Sequence, residues 1–91
     1  MILHVVDAKY ERDYIVRVKF NDGAEGCVDL SGELYGDVFA PLLAKEKFKT
    51  LRVDPELNTI VWANGADFAP EFLYERLLVP IERPDRSEGL G

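Results

Sequence analysis

Residues 14–30, YIVRVKFNDGAEGCVDL, decide the fold. Apolar and polar residues alternate on both sides of Asn21-Asp22-Gly23, which predicts two strands and a reversal between them. Parity sets the loop length. A two-residue Asp22-Gly23 loop pairs Val16 with Asp29 and places an acid on the apolar face. A three-residue Asn21-Asp22-Gly23 loop pairs Phe20 with Ala24, Val18 with Gly26, Val16 with Val28 and Tyr14 with Leu30. It also sets Lys19 against Glu25 on the opposite face. Only the second register keeps the apolar side chains together, so Gly23 is expected left-handed at a bulge. Gly26, in mid-strand, predicts the close approach of something bulky, such as an aromatic ring.

Upstream, ILHVVDAKY (2–10) reads as a first strand, interrupted by Glu11, Arg12 and Asp13. Downstream, Ser31-Gly32-Glu33-Leu34 predicts one short helical or 3-10 turn, and Tyr35-Gly36-Asp37 a loop. VFAPLLAKEKFKTL (38–51) is compatible with a helix that has Pro41 near its first turn and Leu42, Leu43 and Phe48 facing inward. Residues 50–53 and 59–62 predict a second hairpin around a four-residue loop (55–58), with Val53 opposite Ile60 and Leu51 opposite Trp62. Asn64-Gly65 turns the chain, and Pro70 begins a helix to about Leu78 with an apolar stripe of Leu73, Tyr74, Leu77 and Leu78. Pro80 stops it, and residues 81–91 read as a disordered tail. The sum is a single small α+β domain over residues 1–80. It has a mostly antiparallel sheet of about five strands (two hairpins plus an N-terminal strand) and two short helices.

Composition narrows the function. Ninety-one residues, 47% hydrophobic and 31% charged, suit one soluble globular domain. No apolar stretch approaches the roughly 18–20 residues a membrane span needs, and MILHVVDAKY lacks the pattern of an export signal. A cytoplasmic location is expected. The net charge is −6, and the basic run Lys45, Lys47, Lys49 and Arg52 is interleaved with acidic and apolar residues as on a solvated face. Phosphate backbones are held by clustered cations, so direct nucleic-acid binding is not expected, whereas a basic protein partner is electrostatically favoured. Cys27 is the only cysteine and His4 the only histidine, so no internal disulfide can form. Nothing in the spacing of His4, Cys27, Ser31 and Ser87 builds a nucleophilic site. Asp22, Asp29, Asp54 and Asp67 lie in separate turns and strands, and NDGAEG is no phosphate loop, so neither metal nor cofactor is expected.

WANGADFAPEFLYE (62–75) supports two readings. In the structural one, Asn64-Gly65 makes a sharp turn, Pro70 takes the first helical position, and Asp67 and Glu71 complement the positive helix end. In the functional one, Trp62, Asn64, Asp67, Glu71 and Tyr74 line a shallow acidic-aromatic patch suited to an Arg or Lys anchor.

VKFNDGAEGCVDLSGEL, GDVFAPL and FKTLRVDPELNTIVWANGADFAPEFLYE together resemble a family of small bacterial domains of unknown function, over roughly residues 5–78. The resemblance implies a compact α+β domain with no established enzyme activity and no catalytic residues to carry over. Some members carry an appended helix-turn-helix domain, which implies a regulatory setting, and others resemble the antitoxin-like partner of a small neighbouring protein. Here thirteen residues follow Leu78, too few for a DNA-reading domain. The leading expectation is therefore a small protein-interaction module, antitoxin-like or regulatory, and not an enzyme. The alternative is a small-ligand or ion-binding domain using the Trp62–Tyr74 surface. An enzyme with Asp67 or Glu71 as general base comes third. The first strand or the 59–62 strand, as a sheet edge, is a candidate for homodimer pairing.

Overall fold

A computed structural model describes residues 2–78. Strands β1 (Val5–Arg12), β2 (Ile15–Phe20) and β3 (Glu25–Asp29) form an antiparallel sheet in the order β1-β2-β3. The β2–β3 register is the one parity demands: Val16 faces Val28, Val18 faces Gly26 and Lys19 faces Glu25. Phe20 N–H donates to the Ala24 carbonyl and Leu30 N–H to the Tyr14 carbonyl, extending the same pairing at both ends. Gly23 closes the loop at φ 93°. Val16, Val18, Phe20, Val28 and Leu30 point into the core and are essentially fully buried. The first strand runs further than expected, through Glu11 and Arg12, and reverses at Asp13, which adopts φ 47°. Asp is among the few non-glycine residues that tolerate this region.

β4 (Arg52–Asp54) and β5 (Thr59–Val61) form the second hairpin, with Val53 opposite Ile60. The Asp54 carboxylate accepts from the Glu56 and Leu57 N–H groups, and Asn58 takes φ 58°, which closes the turn. The expected single sheet is instead two, of three and two strands. Register shifts between Val5 and Asp7 and between Tyr10 and Arg12 distort β1, so its outer edge cannot continue a regular ladder. A main-chain bond from Val5 N–H to the Asn58 carbonyl joins β1 to the second hairpin. In the two-stranded sheet β5 pairs with β4 on one side, and on the other Val61 makes one isolated bridge to Asp67.

The single helix expected over 38–51 is broken. α1 (Gly36–Phe39), a 3-10 turn (Ala40–Leu43) and α2 (Lys45–Phe48) replace it. Pro41 has no N–H to continue the ladder, and Ala44 is extended (φ −73°, ψ 112°). Leu42 and Phe48 face inward as expected, but Leu43 is about half exposed, because the break rotates it out. α3 (Pro70–Glu75) has Pro70 in its first turn and ends three residues early. Of its stripe only Leu73 is fully buried; Tyr74 is partly exposed. Leu78 has left the helix, and its N–H bonds the Cys27 carbonyl at the β3 edge. That docking explains Gly26. A Cβ there would lie 3.3 Å from Leu77 Cδ2, so the bulky neighbour is an aliphatic side chain and not an aromatic ring. The expected tail, 81–91, lies outside the described residues.

Gly23 and Gly32 both have open space where a Cβ would go, but only Gly23 is left-handed. Gly23→Ala is therefore expected to lose about 1 kcal/mol in chemical denaturation, from backbone strain alone, and Gly32→Ala to lose none. Equal effects from the two would remove the bulge assignment.

Candidate functional site

The Trp62 corner has the geometry of the first hairpin loop. In both, an aromatic residue opens a three-residue loop and an alanine closes it. Phe20 N–H bonds the Ala24 carbonyl at 2.8 Å, and Trp62 N–H bonds the Ala66 carbonyl at 2.9 Å. Gly23 and Gly65 N–H return to the Phe20 and Trp62 carbonyls, each at 3.0 Å. Asp22 Oδ1 accepts from Ala24 N–H, and Asn64 Oδ1 from Ala66 N–H. Gly65, like Gly23, is left-handed, at φ 91°. WANGA thus repeats FNDGA, and the chain runs back along β5 before Pro70 starts α3. The Thr59 hydroxyl holds the returning segment through the Phe68 carbonyl.

This turn scatters the residues that sit together in sequence. Trp62 is buried in the core, its Nε1–H donating to the Phe48 carbonyl at 2.8 Å. Its ring lies against Phe48 and Phe68 at 5.6 and 5.9 Å between centroids. Asn64 is exposed, but its Nδ2 donates to the Val38 carbonyl at 2.8 Å, tying the corner to α1. Asp67 is exposed and its carboxylate makes no capping bond to α3, contrary to the structural expectation. Its main chain serves instead, in the bridge to Val61. Glu71 also stands in solvent, so neither carboxylate occupies a cleft.

Tyr74 packs edge-on against Phe20 (4.9 Å) and donates its hydroxyl to Asp22 Oδ2 at 2.7 Å, across 52 positions of sequence. Asp22 was not among the candidate binding residues, and no local signal pairs it with Tyr74. Its carboxyl is held below the ordinary range, first by the Ala24 N–H and then by the Tyr74 hydroxyl. The Tyr74 phenol is raised, chiefly by its bond to Asp22. Glu71, Tyr74 and Glu75 share one face of α3, at spacings of three and four. The result is an exposed face of three acids and one aromatic, centred on the Tyr74–Asp22 bond. Among the described residues none of those acids has an ion-pair partner.

Trp62 and Asn64 instead line a half-open pocket of about 400 Å³ with Leu42, Pro41, Ala63, Lys47 and Thr50. The remaining candidates have local roles. The Asp29 carboxylate accepts from Ser31 N–H, as Asp54 does in its own turn. Cys27 is half-buried with Arg17 Nη1 3.9 Å from its sulfur. His4 bonds Asn21 through its main chain. Among the described residues no three His, Cys, Asp or Glu side chains gather as metal ligands.

The geometry defines a small α+β domain built on two antiparallel hairpins. The chain belongs to the family described as Protein of unknown function (DUF2442), whose profile matches residues 5–77. No curated protein and no solved structure matches it.

Two outcomes test these contacts. Trp62→Phe leaves the buried Phe48 carbonyl without its side-chain donor and is expected to lose about 3 kcal/mol in denaturant titration. Tyr74→Phe should raise the Asp22 pKa part of the way toward about 3.9, as followed by NMR of its carboxyl carbon. The folded pKa of Asp22 is the depressed one, so its stabilisation is present above the unfolded pKa and is lost as pH falls through the folded value. An unmoved Asp22 titration in the variant would refute the bond.

Proposed function

We propose that this chain is a protein-interaction module whose docking face is the Asp22–Glu71–Tyr74–Glu75 surface. The observation that carries the reading is the Tyr74–Asp22 bond, which welds the exposed side of α3 to the tip of the first hairpin. The bond makes one acidic-aromatic face from two distant segments. Tyr74 is 38% exposed and offers an aromatic surface to a guanidinium or ammonium group, while the carboxylates supply the opposite charge. Such a face steers a basic protein toward it and sets its orientation. The net charge of −6 acts in the same direction. An antitoxin-like or regulatory role, with a basic protein encoded beside this one as partner, is the setting this face fits.

Co-expression with the neighbouring gene product and gel filtration test the reading. A co-eluting complex is expected at low salt, weakening as salt screens the charges. The double variant Glu71→Lys/Glu75→Lys should loosen it by about tenfold or more, with the melting temperature of the free domain little changed. Failure of any co-encoded protein to co-elute at low salt, or a complex indifferent to both reversals, defeats the proposal.

A further inference from the structure

Asn64 is the one asparagine followed by glycine; Asn21 precedes Asp22 and Asn58 precedes Thr59. That order bears on the lifetime of its side-chain amide, independently of the docking face. A following glycine leaves the main-chain nitrogen free to attack the amide carbon, because no Cβ crowds the approach. At Gly65 nothing stands within 4 Å of the place a Cβ would take, and both residues are exposed to water. The chemistry balances without any redox partner. Hydroxide removes the Gly65 N–H proton, the nitrogen bonds to Asn64 Cγ, the Cγ–Nδ2 bond breaks and ammonia leaves. Water then opens the cyclic imide at either carbonyl, which leaves aspartate or isoaspartate.

The folded chain primes this reaction at one atom and latches it at two. Ala66 N–H donates to Asn64 Oδ1 at 3.1 Å, which polarises the carbonyl toward attack. The Gly65 proton, however, is engaged by the Trp62 carbonyl at 3.0 Å. The departing nitrogen is engaged too. Nδ2 donates to the Val38 carbonyl at 2.8 Å, an acceptor that cannot supply the proton ammonia needs. That acceptor belongs to α1, which the Phe39 ring fastens to Phe68 at 4.7 Å between centroids. α1 has only four residues before the Pro41 break, so few bonds of its own oppose a local release. The geometry points to Asn64 as a deamidation site under the control of α1: the amide persists while α1 is docked and converts irreversibly once α1 lets go. Conversion makes the release permanent. Aspartate offers no donor to the Val38 carbonyl, and isoaspartate lengthens the three-residue loop by a backbone atom.

The chain has three asparagines and no glutamine, so peptide mass mapping locates every loss of a side-chain amide. The full chain is incubated in mildly alkaline buffer, folded and in concentrated urea, with isoaspartate followed by methyltransferase labelling. In urea Asn64 should convert ahead of Asn21 and Asn58. In the folded chain it should convert about tenfold or more slowly, the scale of one or two hydrogen bonds. Phe39→Ala removes the ring that fastens α1. It should speed conversion about threefold or more over wild type held by urea at the same global stability. Phe39→Leu makes the same comparison if the alanine variant does not fold. Asn64→Asp, which is the aspartyl product, should be cleaved faster within residues 36–48 in limited proteolysis. Equal rates in the folded and unfolded chain, equal rates for the Phe39 variant and stability-matched wild type, or unchanged cleavage in Asn64→Asp each overturns the inference.

Discussion

Pro41 and the extended Ala44 prevent residues 36–48 from closing one continuous helix, so carbonyl groups in this segment need donors from elsewhere. Three side chains supply them. Asn64 Nδ2 donates to the Val38 carbonyl, the Tyr14 hydroxyl to that of Leu43, and Trp62 Nε1 to that of Phe48. Two donors come from the second hairpin's corner and one from the end of the first hairpin, so the broken segment is where the two hairpins are joined. Phe48 lies at the centre. It is fully buried and meets the rings of Tyr10, Tyr14 and Trp62 at 6.0, 5.4 and 5.6 Å. Its burial contributes roughly 1.5–3 kcal/mol. The bond from Trp62 to its carbonyl sets the angle at which the second hairpin meets that cluster.

The parts of the fold legible in sequence are those governed by alternation and turn chemistry. Val16, Val18 and Phe20 could face the core only if the loop had three residues, and the β2–β3 register follows. The β4–β5 register obeys the same logic through Val53 and Ile60. The break in the helix expected over 38–51 is not legible because period and propensity are local, whereas the break depends on what stands ready to take the exposed carbonyls. Tyr14 and Trp62 are distant in sequence and only the folded chain shows them as donors. The two-sheet arrangement was equally hidden, since it depends on two irregularities within β1 that its apolar pattern does not announce. One further signal lies in the sequence: FNDGA and WANGA share an aromatic, an Asx, a glycine and an alanine at the same spacing, and they adopt the same loop.

The candidate site was legible only in pieces. The five residues proposed from WANGADFAPEFLYE are neighbours in sequence, but a hairpin loop separates Trp62 from Asp67 and a helix start separates both from Tyr74. Trp62 and Asn64 therefore serve the core, the corner and one pocket, whereas Glu71 and Tyr74 serve another surface. The partner that completes that surface, Asp22, is recognisable in sequence as a turn residue and as nothing more. Its first task is to accept the Ala24 N–H, and a carboxylate has a second oxygen to offer. Tyr74 takes it.

The same residue types consequently carry two kinds of work in the two loops. At position 22 the Asx residue is a carboxylate, and its free oxygen draws a phenol, leaving a negatively charged, exposed junction. At position 64 it is an amide, and its free end is a donor, which seeks a carbonyl and finds that of Val38. An aspartate at 64 would present two acceptors to a carbonyl and lose the tie to α1; an asparagine at 22 would keep the loop but remove the charge from the α3 face. The choice between acid and amide at these matched positions therefore makes one loop a structural joint beside an apolar pocket and the other the centre of an acidic surface. Two loops of one design thus come to face different chemistry, and the surfaces they organise are free to act independently.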